Sequence, residues 1–62
     1  GLSQSDGRAD IYALGVLLNI MVTGEHPSRK LAGGRIGRIV QRCTMVSPEK
    51  RYKNILHLME VL

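Results

Sequence analysis

Between Ile11 and Val22 the chain carries twelve residues in which only Gly15 and Asn19 interrupt an apolar run. A membrane-spanning helix needs about twenty such residues, so this run is too short to cross a bilayer. A secretory leader would carry a basic front and a small-residue cleavage site. Here Asp6 and Asp10 precede the run and Thr23-Gly24-Glu25-His26 follow it. A core helix is the remaining reading. Asp6 is its predicted N-cap, because a carboxylate there accepts from an orphan amide of the first turn. Gly24 is the predicted left-handed stop, which gives a helix over about 7–23. The apolar residues surround the axis and do not form one stripe, a pattern that belongs in the middle of a protein. Sixty-two residues are too few to cover such a helix on every side, so a larger body around it is expected.

The stretch from Glu25 to Gly34, with Pro27, Ser28 and the Gly33-Gly34 pair, reads as a loop with a short turn at Leu31 and Ala32. A second helix is predicted over 35–43. Its Ile36, Ile39, Val40 and Cys43 recur at i, i+3, i+4 and i+7, while Arg35, Arg38 and Arg42 take a neighbouring face. Gly37 weakens its first turn. Pro48 starts a single turn with Ser47 as its cap. Asn54 caps a last helix over 55–62, with Ile55, Leu58, Met59 and Leu62 at core spacing. No strand alternation, repeat or low-complexity tract is visible. The expected fold is all-α, three helices in one segment spanning 1–62.

At this length burial leaves only a few kcal/mol once an ordering cost of ~1.5 kcal/mol per residue is subtracted, so tight helix packing or a partner is needed. The single Cys43 forms no internal bridge, which points to a reducing, cytoplasmic setting. The chain opens on Gly1 with no initiator Met, as expected of an excised or processed piece. Its net charge of +4 permits anionic partners without requiring them. Two tyrosines with no Trp or Phe are poor material for base stacking.

Asp10-Ile11-Tyr12-Ala13-Leu14-Gly15, Thr23-Gly24-x-x-Pro27, Cys43-Thr44 and Pro48-x-x-Arg51-Tyr52 stand in one order across almost the whole chain. Each piece alone is weak. The ordered set resembles the end of the C-terminal lobe of Ser/Thr protein kinases, with Arg42-Cys43-Thr44 and Arg51-Tyr52 closest to bacterial members. The resemblance implies a larger protein that transfers phosphate from ATP, with Mg²⁺, to protein hydroxyls. It also implies three structural residues. Gly15 belongs to the opening of the buried helix. Asp10 resembles the family's buried aspartate, which accepts hydrogen bonds from the catalytic-loop backbone. Arg51 resembles the arginine that pairs with the glutamate of an Ala-Pro-Glu motif. The catalytic loop and that motif are absent here. In this chain Asp10 is therefore expected mainly to complement the helix dipole, and Arg51 to be a solvated cation whose exposed pairs contribute ~0–1 kcal/mol. Two features depart from the family. No helix of ordinary family length fits between Gly24 and Arg35, and His57 stands where Glu would complete a capping box after Asn54. No Gly-rich loop, strand lysine, catalytic Asp and Asn, or Asp-Phe-Gly metal ligand is present. Catalytic, cofactor and metal residues are accordingly expected to be none, with ATP and Mg²⁺ belonging to the larger protein.

Other constellations are weaker. Gly33-Gly34-Arg35-Ile36-Gly37 matches neither phosphate-loop pattern, and no strand precedes it. His26 and His57 lie on separate elements and, with one Cys, lack zinc spacing. His57 falls opposite the Ile55, Met59 and Leu62 stripe, a solvated position, and Cys43 reads as an inert core thiol. No elbow motif supports Ser-His-Asp chemistry. Arg29, Lys30, Arg35, Arg38 and Arg42 suggest a small three-helix nucleic-acid-binding module as an alternative. A solvated basic face is the plainer reading, so no nucleic acid is expected. A second alternative is a kinase-derived interaction or dimerisation piece that self-associates through uncovered apolar surface. The expected partners are the remainder of the kinase domain and, for the larger protein, a protein substrate. No membrane contact is expected in this segment.

Overall fold

A computed structural model describes residues 7–62. Helix α1 runs Arg8–Thr23, α2 runs Gly34–Cys43, a single 3-10 turn covers Pro48–Lys50, and α3 runs Ile55–Val61. All regular structure among the described residues is helical. The predicted cap Asp6 lies outside the described residues. Gly7 occupies the N-cap position in the left-handed region, φ 86°, and its carbonyl accepts from the Ile11 amide at 3.1 Å. At the other end Gly24, φ 80°, closes the helix by donating its amide to the Ile20 carbonyl at 2.7 Å. A side chain with a Cβ is strained in that conformation, and this is why the helix stops there.

Helix α1 has three faces. Ile11, Gly15 and Asn19, at i, i+4 and i+8, are buried, the first two against α2 and Asn19 against the loop that follows α1. At the crossing a Cβ on Gly15 would overlap the Cβ of Cys43, so the absence of a side chain sets the approach of the two helices. Gly37 does the same on α2, where a Cβ would collide with the backbone carbonyl of Ala32. The residue that weakens the helix locally is thus required by its packing. The core gathers Ile11, Ile39, Cys43, Tyr52 and Leu58, with Leu14, Leu18 and Val61 packed against it. Within the α2 stripe Ile39, Val40 and Cys43 are buried and Ile36 is half-buried, as the spacing predicts.

Two apolar faces of α1 stay open among the described residues. Tyr12 and Ile20 are exposed on one side, with Val16 half-buried between them. Leu17 and Met21 are exposed on the other, toward α3. The α3 stripe is only partly core: Leu58 is buried, but Ile55, Met59 and Leu62 are exposed. The helix ends at Val61, so Leu62 falls beyond it. The cap itself forms as expected, Asn54 Oδ1 accepting from the His57 amide at 2.9 Å. Pro48 starts its turn, while Ser47 contributes its backbone carbonyl and no side-chain cap bond.

The loop from Glu25 to Gly33 contains no turn at Leu31 and Ala32. Its turn lies earlier, where the Arg29 and Lys30 amides both donate to the His26 carbonyl. What holds the loop is Asn19, which is fully buried. Its Nδ2 donates to the Glu25 carbonyl at 2.8 Å and the Lys30 carbonyl at 2.7 Å. Its Oδ1 accepts from the buried Ala32 amide at 2.8 Å. Thr23 adds a second tie, since its hydroxyl oxygen accepts from the Glu25 amide at 3.1 Å. One amide side chain therefore satisfies three backbone groups of a loop that has no ladder of its own. Replacing it by an apolar side chain of similar size leaves those groups unpaired. Asn19→Leu is predicted to lower stability by about 1–3 kcal/mol and to speed hydrogen exchange at Ala32. Chemical denaturation and amide exchange measure the two effects.

Candidate functional site

The three residues singled out by the resemblance lie on or against α1. Asp10 sits in its first turn, half-buried. It forms one wall of a cleft of about 330 Å³ that Gly7, Asn54, Ile55 and Leu56 complete. Among the described residues no hydrogen bond or ion pair to its carboxylate is formed. The position at a helix N-terminus suits a negative charge.

Arg51 is not a solvated cation. It is half-buried, and its Nε donates to the Met45 carbonyl at 2.7 Å. Its Nη1 donates to the Arg8 carbonyl at 3.2 Å. The guanidinium also lies 4.9 Å from the centre of the Tyr12 ring. One side chain thereby joins the connector after α2 to the start of α1, across 43 residues of sequence. These partners are carbonyls and a ring, whereas the expectation placed only an exposed ion pair there.

The basic face is also partly used within the chain. Arg35 donates through Nη2 to the Val61 carbonyl, tying the start of α2 to the end of α3. Arg42 stacks over Tyr52, 4.4 Å from the ring centre, a contact worth about 0.5–1 kcal/mol at an exposed site. Arg38 is exposed. His57 is half-buried, contrary to the solvated position expected for it. Its ring meets Tyr52 edge to face, 5.1 Å between centres and 88° between planes. Its Nδ1 accepts from the Lys53 amide at 3.3 Å, so the imidazole performs a backward reach like that of the missing glutamate, one residue earlier.

His26 and Ser28 are the nearest approach to a nucleophile and base, with Nδ1 and Oγ 2.9 Å apart. The Ser28 amide donates to the same Nδ1 at 3.1 Å, so the ring nitrogen closes a turn on the exposed loop. No third group among the described residues orients the imidazole from its other side, and this is a turn motif. Among the described residues no group of three or more His, Cys, Asp or Glu is placed to hold a metal ion. No helix among them is long and apolar enough to cross a membrane.

Cys43 is fully buried at the α1–α2 crossing. Burial raises its thiol above the ordinary 9.0, with Arg42 pulling more weakly in the opposite direction. The protonated thiol is the inert form.

Read from sequence, Asn19 has no role beyond a break in an apolar run. A signal was present: a lone amide inside an apolar helix, four residues before Thr23 and just ahead of a glycine stop, must find partners if it is buried. Comparison of the chain with known protein families, curated proteins and solved structures finds no match.

Two outcomes follow from this geometry. Arg51→Ala is predicted to destabilise the fold by about 1–2 kcal/mol, and Arg51→Lys to recover little of it, because an ammonium cannot serve both carbonyls and the ring. Thermal melts should show the loss persisting at high salt, since neutral acceptors are involved. For Cys43, the folded chain holds the thiol proton more tightly than the unfolded chain does. That share of stability is complete below pH 9.0 and is lost as pH rises toward the folded value. Urea titrations should show Cys43→Ala lacking this part of the alkaline decline.

Proposed function

We propose that the chain is a structural segment of a Ser/Thr protein kinase catalytic domain, from the end of the C-terminal lobe of a bacterial-type member. The larger protein would transfer phosphate from ATP, with Mg²⁺, to protein hydroxyls in the cytoplasm. The observation that carries this reading is convergence. Gly15 of the first motif piece packs on Cys43 and Thr44 of the third. Arg51 of the fourth piece reaches Arg8 and Tyr12 around the first. Three of the four pieces, each weak singly in the sequence, thus pack along the first half of α1, and the other, Thr23 to Pro27, lies at its far end.

In this reading α1 is a scaffold. Its open Tyr12, Val16 and Ile20 face packs on the rest of the catalytic domain. The Asp10 carboxylate, unpaired among the described residues, accepts backbone amides of the catalytic loop. Charge-assisted bonds of that kind are strong in a dry site. The chain by itself carries out no phosphoryl transfer. Nucleic-acid binding draws less support, because Arg35 and Arg42 are engaged with Val61 and Tyr52.

Reading the gene immediately ahead of the Gly1 codon tests the proposal. His-Arg-Asp, Asp-Phe-Gly and Ala-Pro-Glu segments in frame are expected, and a gene with unrelated sequence there would overturn it. In the full-length protein Asp10→Asn is predicted to reduce kcat about tenfold or more through loss of loop positioning. Unchanged turnover would contradict the role assigned to Asp10. The 62 residues alone are predicted to give no saturable ATP titration.

A further inference from the structure

We propose that the exposed face of α2 is a docking surface for an acidic segment, rich in Asp and Glu, of a partner protein. Arg35, Arg38 and Arg42 stand at i, i+3 and i+7 and are all exposed, while Ile39, Val40 and Cys43 of the same helix are buried. The burial pattern thus turns one stripe of three guanidiniums outward, about 10 Å long at the α-helical rise. No acidic residue occurs between Glu25 and Glu49, a stretch that also holds Arg29 and Lys30 on the exposed loop before α2. The positive charge of this face is not cancelled from within its own segment.

Two of the three arginines are held in place by contacts that leave most of their donors free. Arg35 gives Nη2 to the Val61 carbonyl, and a guanidinium has several further N–H groups to offer. Arg42 lies over the Tyr52 ring, a contact that uses no N–H. Arg38 is exposed and, among the described residues, makes no hydrogen bond or ion pair. A guanidinium fixed in advance loses less side-chain freedom on meeting a carboxylate. Its planar fork matches the two carboxylate oxygens, which a lysine would not do.

The same geometry disfavours other anions. Base stacking needs exposed rings, and among the described residues the exposed tyrosine, Tyr12, lies on α1, while Tyr52 is buried under Arg42. A helix that rests on a bilayer inserts its apolar face, but in α2 that face is spent on the core with Ile39 and Cys43. A second copy offers no acidic cluster, since the described acids Asp10, Glu25, Glu49 and Glu60 are spread over α1, the loop, the 3-10 turn and α3. An extended acidic segment supplies the complement: carboxylates on alternate residues recur about every 7 Å along one side of a strand. The kinase reading assigns its contacts to α1, so the α2 surface stands or falls separately from it.

Fluorescence anisotropy of a labelled peptide of alternating Glu and Ser, titrated with the 62-residue chain, tests the proposal, with circular dichroism on each variant. Saturable binding is expected, and it should weaken as salt is raised because the charges on both sides are exposed. Arg38→Glu should weaken binding at least tenfold with helicity retained. Lys50→Glu, an equal change of charge at an exposed position off α2, should alter it less than threefold. Absence of saturation up to millimolar chain overturns the proposal, as does binding indifferent to salt. An equal loss in the two variants also overturns it, because net charge and not the α2 stripe would then be felt. Binding at least tenfold tighter to an oligothymidylate of the same charge, or to vesicles containing phosphatidylserine, would replace the acidic partner by a nucleic acid or a membrane. Should Arg38→Glu lose helicity, Arg38→Gln decides: a loss of threefold or more is expected, and unchanged affinity counts against the stripe.

Discussion

Helix α1 is apolar on every side, and the rest of the molecule is arranged by how much of that surface 56 described residues can hide. Helix α2 takes one face, and takes it closely, because Gly15 and Gly37 remove the side chains that would hold the backbones apart. Where α1 turns polar, at Asn19 and Thr23, the loop is drawn in to satisfy the amide and the hydroxyl. The loop is therefore placed by a buried polar group whose bonds must be met, not by burial of its own side chains. The two remaining faces are covered only in part among the described residues, by Arg51 over Tyr12 on one and by α3 beside Leu17 and Met21 on the other.

Electrostatics play a secondary and local part. Three of the arginines act as donors or stacking planes inside the chain: Arg51 on two carbonyls and Tyr12, Arg35 on a carbonyl, and Arg42 on Tyr52. A planar fork with several donors can join segments distant in sequence, which an ammonium does poorly. Asp10 is the contrast, a half-buried carboxylate that makes no such bond among the described residues.

Local features were legible because they depend on a few adjacent residues. The i, i+3, i+4, i+7 spacing of Ile36, Ile39, Val40 and Cys43 determined α2 and its buried side. Gly24 and Asn54 marked helix ends by their own conformations and side chains. Less accessible were features that join distant segments. The bond from Arg51 to Arg8, the clash that keeps residue 37 a glycine, and the Asn19 bonds to Lys30 and Ala32 all require knowing how the helices cross. The stripe Ile55, Leu58, Met59 and Leu62 misled for a related reason. Its periodicity is genuine, but periodicity reports a face that seeks cover and not whether the chain supplies it.

Thiol labelling around α1 probes most directly the claim that this helix is fully covered on one face only. In a Cys43→Ala background, single cysteines at Ile11 and Ile20 are reacted with a maleimide at low micromolar concentration under native conditions. Cysteine at Ile20 is predicted to label at close to the rate in denaturant, and cysteine at Ile11 orders of magnitude more slowly. Equal, strong protection at both positions would mean that the chain encloses α1 by itself, and a helix left open on two of its faces would be the wrong picture.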